Sequence, residues 1–212
     1  MHQITEPLRL AVGSHRAGSG KGCTMNVVSW ANGDTEITDM PPCSDPMLSR
    51  LMQSVNDRIC MHLDGDLLCS KCSGIVLDLG FQTVGTANTG LTDLELQQVY
   101  VRLAVLAALK VLHLAKDGKS LAAIKAAEKW AETSAAYASA ACASAYASAA
   151  SAAAYAACAA ASSAASAASS AMAHAVLAQE IITEFKRLTG ITLEPTPAPV
   201  IEKALHDMLT TS

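Results

Sequence analysis

The sequence predicts a mainly α-helical protein in which an irregular part rich in Cys and Gly packs on an Ala-rich antiparallel helical bundle. The segment from Thr133 to Gln179 contains no Asp, Glu, Lys or Arg and consists mostly of Ala, the best helix former. Apolar residues recur at helical spacing in several shorter segments. Aromatic residues make up only 4% of the chain, so small side chains must fill much of the core.

The composition divides the 212 residues into three parts. We expect a Cys- and Gly-rich part at 1–90, an Ala-rich helical bundle at 91–190, and a Pro-rich link with a C-terminal helix at 191–212. A single helix through 120–189 would be about 100 Å long at about 1.5 Å per residue. We therefore expect this helix to break at least once, at a position that no Gly or Pro marks.

The first part begins with an extended segment and two helices that have clear end signals. LRLAV at 8–12 predicts a strand or an extended entry segment. CTMNVVSWANG at 23–33 predicts a helix that its last glycine stops. A second helix is expected over 46–58, with a proline at its first position and Ser44 or Asp45 as its N-cap.

The next elements differ in how clearly the sequence defines them. Residues 68–84 are ambiguous between helix and strand, because Gly74 and Gly80 weaken both interpretations. The stretch TDLE at 92–95 is a capping box, and the long apolar helix that it starts is expected to end at Gly118.

The composition also argues against several function classes. A net charge of −4 does not fit a nucleic-acid-binding surface, which needs clustered Lys and Arg. The start MHQITEPLRL lacks the basic and apolar regions of a signal peptide, and the Ala/Ser helices lack an apolar membrane span. Seven cysteines, an odd number, fit a reducing compartment. We therefore expect a cytoplasmic protein that binds neither nucleic acid nor membrane.

A glycine-rich loop follows the extended segment and raises the question of nucleotide binding. A phosphate loop of the Walker type needs a glycine, four residues, and then Gly-Lys-Ser/Thr. Counting back from Gly20-Lys21, His15 stands where the first glycine should be, and Gly22 replaces the hydroxyl residue. The spacing favours a flexible turn that leads into a helix.

The strongest chemical pattern is ICMHLDGDLLCSKC at 59–72. Cys60, His62, Cys69 and Cys72 offer four nitrogen or sulfur ligands, and a Cys-X-X-Cys turn presents two thiolates to one side of a tetrahedral ion. We expect one structural zinc ion here. The alternatives are buried small hydrophobic residues beside a surface histidine, or a redox pair, which the lack of a βαβ pattern disfavours.

A second group of polar residues comprises His15, Cys23, Asp39 and Cys43. One interpretation is a polar or metal site in which His15 is a ligand or a base and a cysteine is the nucleophile. The favoured interpretation is that the cysteines are core thiols, the aspartate caps a turn and the histidine bonds to the backbone.

Several short motifs carry a resemblance to known proteins. They are GSH at 13–15, Cys23 with Met25, the Asp39-x-Pro41-x-Cys43-x-x-Pro46 pattern, Asn56-Asp57 and Val84-Gly85-Thr86. This set resembles uncharacterised proteins of actinobacteria and their phages that end in Ala-rich helices. The tail from about 120 to 189 is similar to Ala-rich helical families labelled as immunity proteins. The resemblance implies a biological setting and no established reaction.

Two functions from different classes remain open. The first is a non-enzymatic interaction protein, encoded by a phage or a mobile element, that binds a host protein or sequesters a ligand. The second is a small metal-dependent hydrolase that uses the group around His15. The lack of a paired acid and base at motif spacing favours the first. A homo-oligomer is also expected as one way to cover the uncharged Ala/Ser surface.

Overall fold

The computed structural model describes residues 9–13, 15, 19–111, 121, 124–125, 127–129, 131, 171–192, 200, 203 and 207. Helix accounts for 62% of the residues that it describes, and no strand occurs among them. The helices whose bounds the structure defines are α1 (Thr24–Asn32), α2 (Pro46–Arg58), α3 (Ser70–Phe81), α4 (Asp93–Val111) and α5 (Ala171–Thr189). The prediction of a mainly α fold is confirmed. The Ala-rich segment 133–170 lies outside the described residues.

The chain divides into two compact units. The first takes the described residues of 1–88, 171–182 and 192–212, and the second takes those of 89–170 and 183–191. The first boundary follows Asn88. The first part of α5 is grouped with the Cys- and Gly-rich part of the chain.

Helix α1 begins and ends where the local signals predict. Cys23 is the N-cap, and its backbone N–H donates to the side-chain oxygen of Asn26 over 3.0 Å. Gly33 follows the helix with a φ of 80°, in the left-handed region that glycine enters at low cost. Its N–H donates to the carbonyl of Trp30, so that the last turn of the helix is closed.

Helix α2 settles which of two residues is its N-cap. The carboxylate of Asp45 accepts hydrogen bonds from the backbone N–H groups of Met47 at 2.9 Å and Leu48 at 3.2 Å. Pro46, at the first helical position, has no N–H to leave unpaired. The predicted span 46–58 is confirmed, and Asp45 is the N-cap rather than Ser44.

Helix α3 resolves the ambiguity over 68–84 in favour of helix. Its two glycines differ in their surroundings. A side chain at Gly74 would meet nothing within 4 Å, whereas a Cβ atom at Gly80 would overlap the hydroxyl oxygen of Thr24 in α1. That hydroxyl donates to the carbonyl of Val76 over 3.1 Å. The absence of a side chain at Gly80 therefore permits the close packing of α1 on α3.

Replacing Gly80 and Gly74 by alanine in separate variants should change stability in opposite directions. Gly80→Ala should destabilise the protein by about 1–3 kcal/mol, because the new methyl group must displace the buried Thr24 side chain from its hydrogen bond. Gly74→Ala should stabilise it by about 0.5–1 kcal/mol through helix propensity alone. Urea unfolding of both variants is the measurement. An equal effect of the two substitutions would contradict the packing argument.

The core of the first unit lies where α1, α2 and α3 pack on one another. The helices supply fully buried apolar side chains, and two short connecting segments add more. These residues are Leu10, Met25, Val27, Val28, Leu48, Met52, Ile59, Leu68 and Val76. These fully buried side chains are aliphatic or methionine, and Phe81 at the end of α3 is also buried.

Helix α4 has the predicted capping box. The backbone N–H of Thr92 donates to the carboxylate of Glu95 over 2.8 Å, and the Glu95 N–H returns a 3.4 Å bond to the Thr92 hydroxyl. The bond from the Thr92 N–H, together with one from the Thr92 hydroxyl, lowers the pKa of Glu95. The expected end at Gly118 lies outside the described residues. Within the described part of the chain, no helix has the length and hydropathy that a membrane span requires.

Candidate metal centre

Three of the four predicted ligands lie together. The sulfur atoms of Cys60, Cys69 and Cys72 are all within 4.8 Å of one another. Of the Cys, His, Asp and Glu side chains that the structure describes, this is the one group of three or more with ligand atoms close enough to share a metal ion. All three thiols are free. The cluster could therefore hold a metal ion.

Cys60 reaches the cluster from the end of α2. Ile59 caps that helix, and its backbone N–H donates to the carbonyl of Val55 over 2.9 Å. The Ile59 carbonyl, in turn, accepts a 3.7 Å bond from the thiol of Cys72. Cys60 is buried, with 7% of its surface exposed. Its sulfur is thus fixed by the helix that precedes it.

Cys69 and Cys72 belong to the first turn of α3. Cys69 is the N-cap, and Cys72 is the third residue of the helix. The backbone N–H of Cys69 donates to the sulfur of Cys60 over 3.3 Å. A helix N-terminus favours negative charge, because its first N–H groups have no partner within the helix. The position therefore suits a cluster of thiolates.

The segment between α2 and α3 is held by the extended residues near the start of the described chain. The guanidinium of Arg9 donates to the carbonyls of Leu68 at 2.6 Å and Leu67 at 3.2 Å, and it pairs with the carboxylate of Asp64 at 2.9 Å. The Leu68 N–H donates to the carbonyl of Leu10 over 2.8 Å. These bonds fix the residue just before Cys69.

The expected extended segment at 8–12 forms a single bridge instead of a regular strand. Ala11 forms an isolated antiparallel bridge with Leu67 and no longer strand. The N–H of Val12 donates to the carbonyl of Asp66, and the ammonium of Lys21 pairs with the carboxylate of that same residue over 2.5 Å. This ion pair lowers the pKa of Asp66. The predicted strand therefore serves as a tether for the loop of the cluster.

The thiols of the cluster differ in their affinity for protons. Hydrogen bonds from the backbone N–H and the thiol of Cys72 lower the pKa of Cys69. Burial, followed by its bonds to the other two sulfurs, raises the pKa of Cys72 to about 12. In the metal-free cluster, Cys69 therefore gives up its proton more readily than Cys72, which holds its proton tightly. A bound cation would displace that proton, since metals bind thiolates.

The structure does not place His62 with the three sulfurs. Its side chain is exposed to solvent, in a bend two residues after Cys60. Its neighbours Met61 and Leu63 are 75% and 44% exposed. The bonds described above fix the loop from Asp64 onward, so they do not constrain the histidine. The spacing of four ligands predicted a closed set, and the structure brings together only its three cysteines.

In the part of the chain that the structure describes, the second predicted group does not form a possible metal site. Its members are His15, Cys23, Asp39 and Cys43. The His15 ring donates through Nε2 to the carbonyl of Val12 over 3.0 Å. Burial raises the pKa of Cys23, and burial and the charge of Asp34 raise that of Cys43. Protonated thiols are poor nucleophiles.

The remaining member of that group, Asp39, helps to hold the segment before α2. Its backbone carbonyl accepts a 2.7 Å hydrogen bond from the side-chain amide of Gln53. The carbonyl of Cys43 likewise accepts hydrogen bonds from the N–H groups of Gly85, at 2.8 Å, and Ala87, at 3.4 Å. The backbone carbonyls of Asp39 and Cys43 therefore hold the segment before α2 in place.

Asn56 is a residue whose role the sequence did not reveal. Its position near the end of α2 would suit a residue that closes the helix, but its side chain is fully buried. Its amide nitrogen donates to the carbonyl of Ala11 over 2.8 Å, and its oxygen accepts from the N–H of Thr24 over 3.2 Å. Next to it, Asp57 accepts a 2.8 Å bond from the N–H of Gly13. The two residues join α2 to α1 and to the extended segment.

The Gly85-Thr86 motif has a similar structural role. The Thr86 hydroxyl accepts from the N–H of Asp45 over 2.9 Å and donates to the carbonyl of Thr83 over 2.5 Å. The Ser44 hydroxyl donates to that of Thr83 over 2.9 Å. These buried hydroxyls tie the loop after α3 to the start of α2. Like Asn56-Asp57, the Gly85-Thr86 motif therefore connects elements of the fold through hydrogen bonds.

Comparisons of the chain with protein-family models, curated proteins and solved structures give no match. The resemblance to actinobacterial and phage proteins stays a prediction.

Proposed function

We propose that this protein binds one Zn²⁺ ion through Cys60, Cys69 and Cys72. The observation that carries the proposal is the approach of the three sulfurs to within 4.8 Å of one another. At a Zn–S distance of about 2.3 Å, the sulfurs of a tetrahedral site lie under about 4 Å apart. Small side-chain rotations would therefore close the cluster around the ion.

The role of the ion in this proposal is structural. The loop from Met61 to Gly65 is exposed along its whole length, so it buries little apolar surface of its own. Cys60 lies at the start of this loop, directly after the C-cap of α2. Cys69 and Cys72 lie at its other end, in the first turn of α3. An ion bound to all three would cross-link the two ends of this loop, as structural zinc sites do in segments without a core.

His62 is the proposed fourth ligand, because its exposed side chain can turn toward Cys60 when the ion binds. A structural zinc site is worth about 10–16 kcal/mol over four ligands, or about 3 kcal/mol for each. His62→Ala should therefore weaken zinc affinity about 100-fold. The measurement is a competition titration with a chelator of known affinity. An unchanged affinity would assign the fourth position to water.

Metal analysis of the purified protein tests the proposal directly. We expect about one zinc ion per chain, in line with a single cluster. Replacement by Co²⁺ should give the charge-transfer absorption of cobalt–thiolate bonds, which an adventitious surface ion lacks. Reduced protein that takes up neither metal would refute the proposed function.

We also propose that the chain is an interaction protein that binds a protein partner or a small ligand. The support is that the His15 ring, the base of the hydrolase alternative, is hydrogen-bonded to a backbone carbonyl. Burial raises the pKa of both candidate nucleophiles, Cys23 and Cys43. Light scattering of the full chain tests a second copy as the partner. A mass of twice 21.9 kDa would support self-association. The mass of one chain would leave a different molecule as the partner.

A further inference from the structure

Two of the three clustered cysteines have the geometry of a disulfide-forming pair. Cys69 and Cys72 are the N-cap and the third residue of α3, and their sulfurs lie within 4.8 Å. Residues three apart in a helix lie on the same face. Side-chain rotation can therefore bring these sulfurs to the about 2 Å of a disulfide bond with the helix in place.

The third cysteine is set apart by its surroundings. Cys60 is buried and belongs to the segment after α2, whereas Cys69 and Cys72 are both partly exposed. A dissolved oxidant therefore reaches the pair at the helix start before it reaches Cys60. Cys-X-X-Cys pairs at helix N-termini are the arrangement that thiol–disulfide exchange uses in proteins.

We propose that Cys69 and Cys72 form a reversible dithiol–disulfide pair, and that closing the disulfide releases the metal ion. The release rests on the proposed zinc site. The disulfide removes two of the three sulfur ligands and leaves only Cys60 and the proposed ligand His62, which are too few to retain Zn²⁺. The oxidant is a low-molecular-weight disulfide such as oxidised glutathione. The site is then an ion-binding element whose occupancy follows the thiol redox state of its surroundings.

The exchange balances in two steps. The Cys69 thiolate attacks one sulfur of oxidised glutathione, whose S–S bond breaks and releases a first glutathione thiolate. Cys72 then attacks the Cys69 sulfur of the mixed disulfide and releases the second. Two protein thiols lose two electrons and two protons, and one glutathione disulfide becomes two glutathione thiols. Excess reduced glutathione reverses both steps.

Tryptic mapping identifies the disulfide without ambiguity. Cleavage after Arg58, Lys71 and Arg102 places Cys60 and Cys69 together in peptide 59–71 and Cys72 in peptide 72–102. A Cys69–Cys72 bond therefore joins the two peptides. A Cys60–Cys69 bond leaves them separate and makes 59–71 lighter by two hydrogens. Fragmentation of a joined peptide distinguishes Cys69 from Cys60 as the linked residue.

The zinc-free protein is treated with oxidised glutathione, alkylated, digested and mapped. We expect the joined peptide, linked through Cys69. In Cys72→Ser, we expect glutathione to remain attached to Cys69, because the second attack cannot occur. Unreacted thiols in the native protein would overturn the proposal, as would a bond that involves Cys60. Cys43→Ser is the control and should give the native map.

The same oxidant is then added to zinc-loaded protein, and released zinc is measured with a coloured chelator. Zinc content should fall from about one ion per chain to under about 0.2, and reduced glutathione should restore it. Zinc retained on oxidised protein would overturn the release. The two proposals fail separately. A reduced chain that binds no zinc refutes the zinc site, while the peptide map still decides whether the disulfide forms.

Discussion

Cys69→Ser is expected to weaken zinc affinity by about 100-fold, which leaves little zinc on the purified variant, and to lower the melting temperature by about 6–12 °C. Loss of one thiolate removes about 3 kcal/mol of metal-binding free energy. In a protein of this size, each kcal/mol shifts the midpoint by about 2–4 °C. Serine is a favoured N-cap residue, so the substitution leaves the start of α3 intact and the loss of stability reports the metal ligand. Metal analysis and a thermal melt of the same sample give both readouts.

Cys43→Ser is the matched control for this variant. Both cysteines are half-buried and free, but Cys43 lies outside the cluster. Cys43→Ser should leave the zinc content of the protein unchanged and shift the melting temperature by only a few degrees. A chelator should lower the melting temperature of the control and the native protein equally, and should have no effect on Cys69→Ser. Zinc loss in the control would contradict the assignment of the ligands.

The elements that could be predicted are those whose signals lie within a few residues of one another. The N-cap of α2 at Asp45 and the left-handed stop at Gly33 act through neighbouring backbone groups. Helix α3 was ambiguous because its glycines have low propensity for helix and strand alike. Its state depends on the contact of Gly80 with Thr24, which is 56 positions earlier in the chain.

The same distinction applies to the metal centre. Cys69 and Cys72 could be paired from the sequence, because the first turn of one helix fixes their separation. Including Cys60 required only the short loop that connects it. His62 could not be placed in this way, because no helix or strand fixes its side chain. The tether from Arg9 to that loop joins residues 55 to 59 positions apart and has no local signature.

Asn56 shows most clearly how a buried polar residue escapes a sequence-based interpretation. Its expected local role, closing a helix, involves only its neighbours. Its actual partners, Ala11 and Thr24, lie 45 and 32 positions away. The Ala11 carbonyl belongs to an extended segment, and the Thr24 N–H is at the first position of α1. Neither group therefore has a partner in a helix or a sheet ladder. The amide therefore replaces secondary-structure hydrogen bonds at this junction.

Asn56→Ala is expected to destabilise the protein by about 3–5 kcal/mol. The truncation leaves a buried N–H and a buried carbonyl unpaired, at about 1–3 kcal/mol each, and adds a cavity. Alanine has the higher helix propensity, by about 0.6 kcal/mol, so helix formation alone would predict the opposite sign. Gln53→Ala, in the same helix, is the control. Its half-exposed amide makes one backbone bond, to Asp39, and its loss should cost about 1 kcal/mol. Urea unfolding of both variants compares them, and similar losses would show that the buried amide does not join the segments as described.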